Sequence, residues 1–285
     1  VPAATDTIHL VVSTRIEARR AFPEGMTVRA FSTRPRWRTW AAMSALAVAA
    51  TVTQVPSAHA ATTICSQFGE TRVSGGQFIV NNNEWNDSIQ QCISATNDGF
   101  TVLSGNHNKP TNGAPSGYPS IFAGCHYTAC SANSGLPLRV SSFGNTRSSV
   151  NFNTAGGQWD AAYDIWFDTN PNPSGQNNGE ELMIWANHAG APQPAGRQVG
   201  SANIEGANWA VWEARVGGSI QWNVVSYVRQ PSTNSISVNL RDFTNDSANR
   251  GFLNKAWFLT SVQFGFEPWQ GGPGLGVNSF SFNAF

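Results

Sequence analysis

Charge is scarce in this chain. Asp, Glu, Lys and Arg make up 12% of its 285 residues, about half the roughly 25% of an average soluble protein, so a carboxylate beside Met or Trp calls for a reason. No apolar run reaches the roughly 20 residues a helix needs to span a bilayer, which argues against a membrane-bound protein. Whole catalytic vocabularies are absent: there is no Gly-x-Ser-x-Gly elbow, no His-Glu-x-x-His and no Walker loop. The Gly-rich stretch Gly271 to Gly276 follows a strand signal but opens no helix, and reads as a cleft-edge loop, not a phosphate cradle. His107, His126 and His188 lack partners at metal-ligand spacing and read as structural or surface residues.

Residues 34–60 carry a basic stretch, a short apolar stretch and an Ala58-x-Ala60 ending, the three parts of a secretory signal peptide. Residues 1–33 show neither core periodicity nor a motif and are expected to be an upstream extension, leaving 61–285 as one catalytic domain. That part holds 10 Lys and Arg against 14 Asp and Glu, a net charge of −4 that speaks against a nucleic-acid partner. It also holds 9 Trp, 15 Phe and 4 Tyr, enough for a large core with aromatics left to display. All four cysteines, Cys65, Cys92, Cys125 and Cys130, lie in this part, where an oxidising compartment favours disulfides. Three pairings are open; the nearest-neighbour choice joins Cys65 to Cys92 and Cys125 to Cys130, and a zinc site from Cys125, His126 and Cys130 is the alternative.

From residue 76 onward, short β-rich runs alternate with Gly, Pro, Asn and Ser clusters such as Asn170-Pro-Asn-Pro-Ser-Gly175. Strands are expected at 77–81, 161–167, 181–187, 209–213, 222–228, 235–240, 258–266 and 277–282, and one helix over Asp242 to Ala256. One helix among many strands indicates an all-β sandwich or jelly roll with the helix packed on one sheet. Strand alternation puts Glu181, Met183, Trp185 and Asn187 on one surface, with Glu180, Leu182, Ile184 and Ala186 on the other. The same period groups Gln263, Gly265 and Glu267, and groups Asp164, Trp166 and Asp168. Two glutamates on polar, Trp-rich sheet faces are the equipment of glycoside hydrolysis.

The residues that carry these motifs resemble glycoside hydrolase family 12. They are Thr63-Ile-Cys65, Asn81-Asn-Asn-Glu-Trp85, Asn112-Gly-Ala-Pro115, Tyr118-Pro-Ser120, Gly124-Cys-His-Tyr127, Tyr163-Asp164, Glu181-Leu-Met-Ile-Trp185, Phe266-Glu-Pro-Trp269 and Val277-Asn-Ser-Phe280. The resemblance covers 62–285 and is strongest to the secreted bacterial, Streptomyces-type endoglucanases. It implies a β-jelly roll of two curved antiparallel sheets, with an open cleft on the concave face and the helix on the convex side. It also implies retaining hydrolysis of internal β-1,4 bonds in glucan by an exported monomer with no metal or organic cofactor. Carried over, Glu181 is the nucleophile, Glu267 the general acid and base, and Asp164 the carboxylate that supports Glu181. Trp85 becomes a sugar-stacking platform, with Asn83, Met183 and Trp185 lining the cleft, and Trp269 either a cleft wall or a loop anchor. A non-catalytic carbohydrate-binding jelly roll would need the Trp platforms without the paired glutamates; a xylanase or xyloglucanase of related fold is the nearest rival within enzymes.

Overall fold

The computed structural model describes residues 61–284; the segments read as extension and signal peptide lie outside them. The described chain forms two stacked sheets. The smaller runs Thr62–Ile64, Cys92–Ala95, Phe100–Ser104, Gly276–Asn283, Arg147–Asn153 and Ser235–Asn239, in that spatial order. The larger runs Arg197–Ile204, Ala207–Gly217, Gln221–Gln230, Glu180–Ala189, Gly157–Asp168, Phe258–Gly271, Ser120–His126, Phe78–Asn81 and Glu70–Val73, with short strands pairing at its margins. Every pairing is antiparallel except one: Glu180–Ala189 runs parallel to Gln221–Gln230.

The core lies between the sheets. Tyr163, Ile165, Leu182, Ile184, Val225, Phe264 and Phe266 point inward from the larger sheet, meeting Ile93, Phe100, Val150, Phe152 and Phe280 of the smaller. Aromatic rings lock the layers together, Phe152 on Phe264 at 5.1 Å and Phe100 on Phe266 at 6.1 Å, each such pair adding about 0.5–1.5 kcal/mol beyond its buried area. The opposite face of the larger sheet carries a second, smaller apolar cluster around Ala162, Met183, Trp185 and Val224, and this is the cleft face.

The helix spans Leu240–Asn249, shorter than expected. Asn239 caps its start by accepting from the Arg241 N–H, and Phe243 packs edge-on against Trp209 and Tyr227, fixing the helix to the side of the larger sheet away from the cleft. It stops before Ala256 because Gly251 adopts φ +86°, and the N–H groups of Gly251 and Phe252 close back on the Ala248 and Ser247 carbonyls. Glycine in this left-handed position ends helices readily. All eight expected strands form. Strands not expected from sequence include Ser120–His126, buried on both faces for most of its length and hence without alternation, and Arg147–Asn153, whose Ser and Asn content reads as turn.

The candidate active site

Three adjacent strands build the site floor, with Gly157–Asp168 in the middle. Met183 stands opposite Asp164 and Glu181 opposite Trp166 on one side; Gln263 stands opposite Asp164 and Glu267 opposite Asp160 on the other. Directly opposed residues share a face, so these side chains converge on the cleft. It encloses about 1410 Å³ and is lined by Glu181, Glu267, Asp164, Trp85, Asn83, Met183, Trp185 and Trp269, among others, so all eight residues singled out for catalysis or substrate contact meet there. That volume exceeds the roughly 300–1,000 Å³ of a small-molecule pocket and suits a polymer segment.

Two expected neighbours are not part of it. A β-bulge between Ala161 and Ala162 inserts an extra residue opposite them, so alternation breaks after Trp185 and Asn187 leaves the face to bond Asn234. Asp168, the last residue of its strand, also stays outside the cleft lining. Its carboxylate instead accepts the N–H groups of Asn170 and Asn178, holding the following loop.

The cleft walls are fastened by local bonds. Trp85 is 45% exposed, and its segment is held by Asn86, which donates to Pro115, and by Asp87, which pairs with buried His107 at 2.8 Å. Asn83 turns the chain with φ +38°, and its carbonyl accepts from the Tyr118 N–H. Gly117 is required there, since a Cβ would come within 2.5 Å of the Asn83 carbonyl oxygen. Trp269 serves as both wall and anchor: it lines the cleft while its indole N–H donates to Gly113 at 2.7 Å. Cys65 is bonded to Cys92 and Cys125 to Cys130, which rules out zinc binding by the second pair. The second disulfide closes the hairpin carrying Tyr127 into the cleft, where its hydroxyl donates to Gln176.

Glu181 receives one hydrogen bond, from the Trp222 indole N–H at 2.7 Å; burial pushes its carboxyl up to about 7 against that bond. Asp164 accepts from Trp166 at 2.8 Å, and burial together with the charge of Glu181 holds its proton well above the usual range. Glu267 is raised strongly by burial and by the adjacent carboxylates Asp160 and Glu181. Tyr118 sits among all four acids: burial and the charges of Asp164, Asp160, Glu267 and Glu181 keep its phenol protonated, donating to the Ala162 carbonyl at 2.9 Å. Four neighbouring carboxyls, two buried and two half-buried, cannot all ionise near neutral pH.

Sequence reasoning missed Asp160, Tyr118, Trp166 and Trp222 as site residues, and Phe68 and Tyr127, which line the cleft at 65% and 51% exposure. Asp160 was within reach, since stepping back four residues from Asp164, two periods of the strand, reaches it on the same face. Trp222 was not, because it is brought to Glu181 by the one parallel pairing.

A jelly-roll cleft with paired glutamates and aromatic walls defines a glycoside hydrolase. The family model for Glycosyl hydrolase family 12 matches residues 76–284, and the chain belongs to that family. It is 39% identical over 147 residues to the protein called "Probable cellulase Cel12b" of Mycobacterium tuberculosis, covering 51% of this chain and 95% of that one. Among solved structures, the endo-1,4-beta-glucanase CelB2 is similar at 43% identity and a TM-score of 0.74, over 79% of this chain and 99% of that one. A family 12 xyloglucanase from Bacillus licheniformis is similar at 30% identity and a TM-score of 0.71, over 79% and 100%.

Proposed function

We propose that this protein is an endo-β-1,4-glucanase that cleaves internal bonds of cellulose and related β-glucans with retention, through a glycosyl ester on Glu181. The observation that carries this reading is the pair of half-buried glutamates, the charge of Glu181 raising Glu267, in an open, aromatic-walled cleft. The Trp222 N–H favours the ionised form of Glu181 and aims it as the nucleophile. Asp164, still protonated, supports it without adding a second charge. The carboxylate of Glu181 raises the proton affinity of Glu267, which acts as general acid towards the departing oxygen. Once Glu181 is esterified that influence is lost, and Glu267 becomes the base that activates water. Trp85 supplies a flat apolar face for a glucose ring, Asn83 and Trp185 polar groups for hydroxyls, and Met183 part of the floor. We further infer that the chain is exported with cleavage after Ala60 and acts alone on its polymer; N-terminal sequencing of secreted material beginning elsewhere than Ala61 would refute the cleavage site.

The mechanism is tested by proton NMR of the first product anomer together with two variants. Glu181→Gln is expected to abolish turnover. Glu267→Ala is expected to lose polymer cleavage, yet form the ester from aryl glycosides and yield a β-glycosyl azide on adding azide. First release of the α-anomer would mean inversion and would overturn these assignments.

A further inference from the structure

Asp160 is the buried acid that the scheme above leaves without a task. It lies opposite Glu267 across the strand pair, is fully buried, and neither of its oxygens accepts a well-formed bond from any N–H or O–H among the described residues. Burial raises its proton affinity most, the side chain and backbone N–H of neighbouring Glu267 act against that, and the charges of Asp164 and Glu181 add to it. A hydrogen bond between two carboxyls exists only while at least one proton is present. The other titratable groups around the pair are Asp164 on the same strand, Glu181 and His188 on Glu180–Ala189, and Tyr118 ahead of Ser120–His126. Among these, His188 stands opposite Asp160 in register but is exposed and tilted against Trp185, and Tyr118 is kept neutral, so among the described residues no cation is buried against the pair.

We propose that Asp160 is a positioning residue that shares protons with Glu267 and must itself be protonated for Glu267 to act as the acid. The inference rests on Glu267 being the general acid. If the pair holds one proton, donating it to the leaving oxygen leaves two carboxylates side by side in a buried site with no compensating donor, which is prohibitively costly. If the pair holds two, the Glu267 proton passes to the glycosidic oxygen, and the Asp160 O–H turns onto the Glu267 oxygen that has just become negative. Asp160 keeps its proton, and the pair ends with one proton and one charge. Asp160 thereby sets the alkaline edge of activity, in keeping with its carboxyl being pushed up to about 7 by burial.

The test is the pH profile of kcat/KM for Asp160→Asn on a soluble β-glucan. Asparagine is nearly the same shape and, like protonated Asp160, stays neutral, but it has no proton to lose at the alkaline edge, so the alkaline limb is expected to move up by at least one unit, giving about tenfold higher activity one unit above the wild-type edge. A limb that stays put or moves down overturns the proposal. Glu267→Gln separates this from failure of the underlying reading: if that variant still cleaves polymer, Glu267 is not the acid, whereas if it is dead on polymer while Asp160→Asn leaves the limb unmoved, only the role of Asp160 falls. Should Asp160→Asn not fold, carbon-13 NMR of Asp-labelled protein replaces it. One buried aspartate is expected to titrate at the alkaline edge in the wild type and at lower pH in Glu267→Gln, whose amide would donate to Asp160; no aspartate moving in this way overturns the proposal.

Discussion

Trp222 gives Glu181 its one hydrogen bond, and a bond to a charged group is worth about 1.5–3 kcal/mol. Trp222→Phe keeps the ring contact with Trp166, which lies at 5.8 Å, and removes only the N–H. Turnover of β-glucan is expected to fall about ten- to hundredfold by that energy. Because the N–H favours the ionised form, its loss raises the affinity of Glu181 for a proton. The acid limb of the pH profile is therefore expected to move up, with an unchanged circular dichroism spectrum. An unmoved acid limb would show that Trp222 packs against Glu181 without tuning it.

At the scale of elements, Glu180 and Glu181 show how one strand divides two chemistries. Glu181 faces the cleft, while Glu180 points the other way and takes the Ser247 hydroxyl on both oxygens, at 2.8 and 2.9 Å, tying strand to helix. Burial pushes Glu180 up to about 8 from an ordinary 4.5. Between those values the folded chain keeps a proton that the unfolded chain releases, so stability is full at acid pH and declines as pH rises through the window. The decline is at most about 1.4 kcal/mol per pH unit for one group. Denaturant unfolding at pH 5 and pH 8 is expected to show Glu180→Gln losing less stability than the wild type. Equal losses would mean that Glu180 titrates normally in the fold.

For the molecule as a whole, the two disulfides do different work. Cys65 and Cys92, 27 residues apart, tie the end of the first strand of the smaller sheet to the first residue of its neighbour, and closing that loop stabilises the fold by at most roughly 3.5 kcal/mol. The Cys125–Cys130 loop is only 5 residues long and gives at most roughly 2 kcal/mol, but it holds the hairpin that presents Tyr127. Replacing the first pair by serine is expected to lower unfolding stability more than replacing the second. Replacing the second is expected to raise KM for β-glucan more than the first. Denaturant titration and steady-state kinetics on both variants measure the two effects, and the reverse order would contradict this division.

The sequence by itself determined which side chains each strand offers to each face. Glu181, Met183 and Trp185 against Leu182 and Ile184, or Glu267 against Phe264 and Phe266, follow from a period of two that backbone geometry imposes on any strand. Where a bulge interrupts that period the reading failed, as at Asn187, because a bulge is fixed by pairing with another strand. Pairing also decided what no local pattern holds: the register that sets Asp160 against Glu267, and the parallel neighbour that brings Trp222 to Glu181. Above all it decided the meeting of the two glutamates. By register Glu181 is level with Trp166 and Glu267 with Asp160 on the central strand, a separation of ~20 Å along a flat sheet at about 3.3 Å per residue. Only the twist and curl of the larger sheet, strengthened by its bulges, brings both carboxyls into one cleft, close enough for the charge of Glu181 to raise Glu267, because curvature is a property of many paired strands and of none alone.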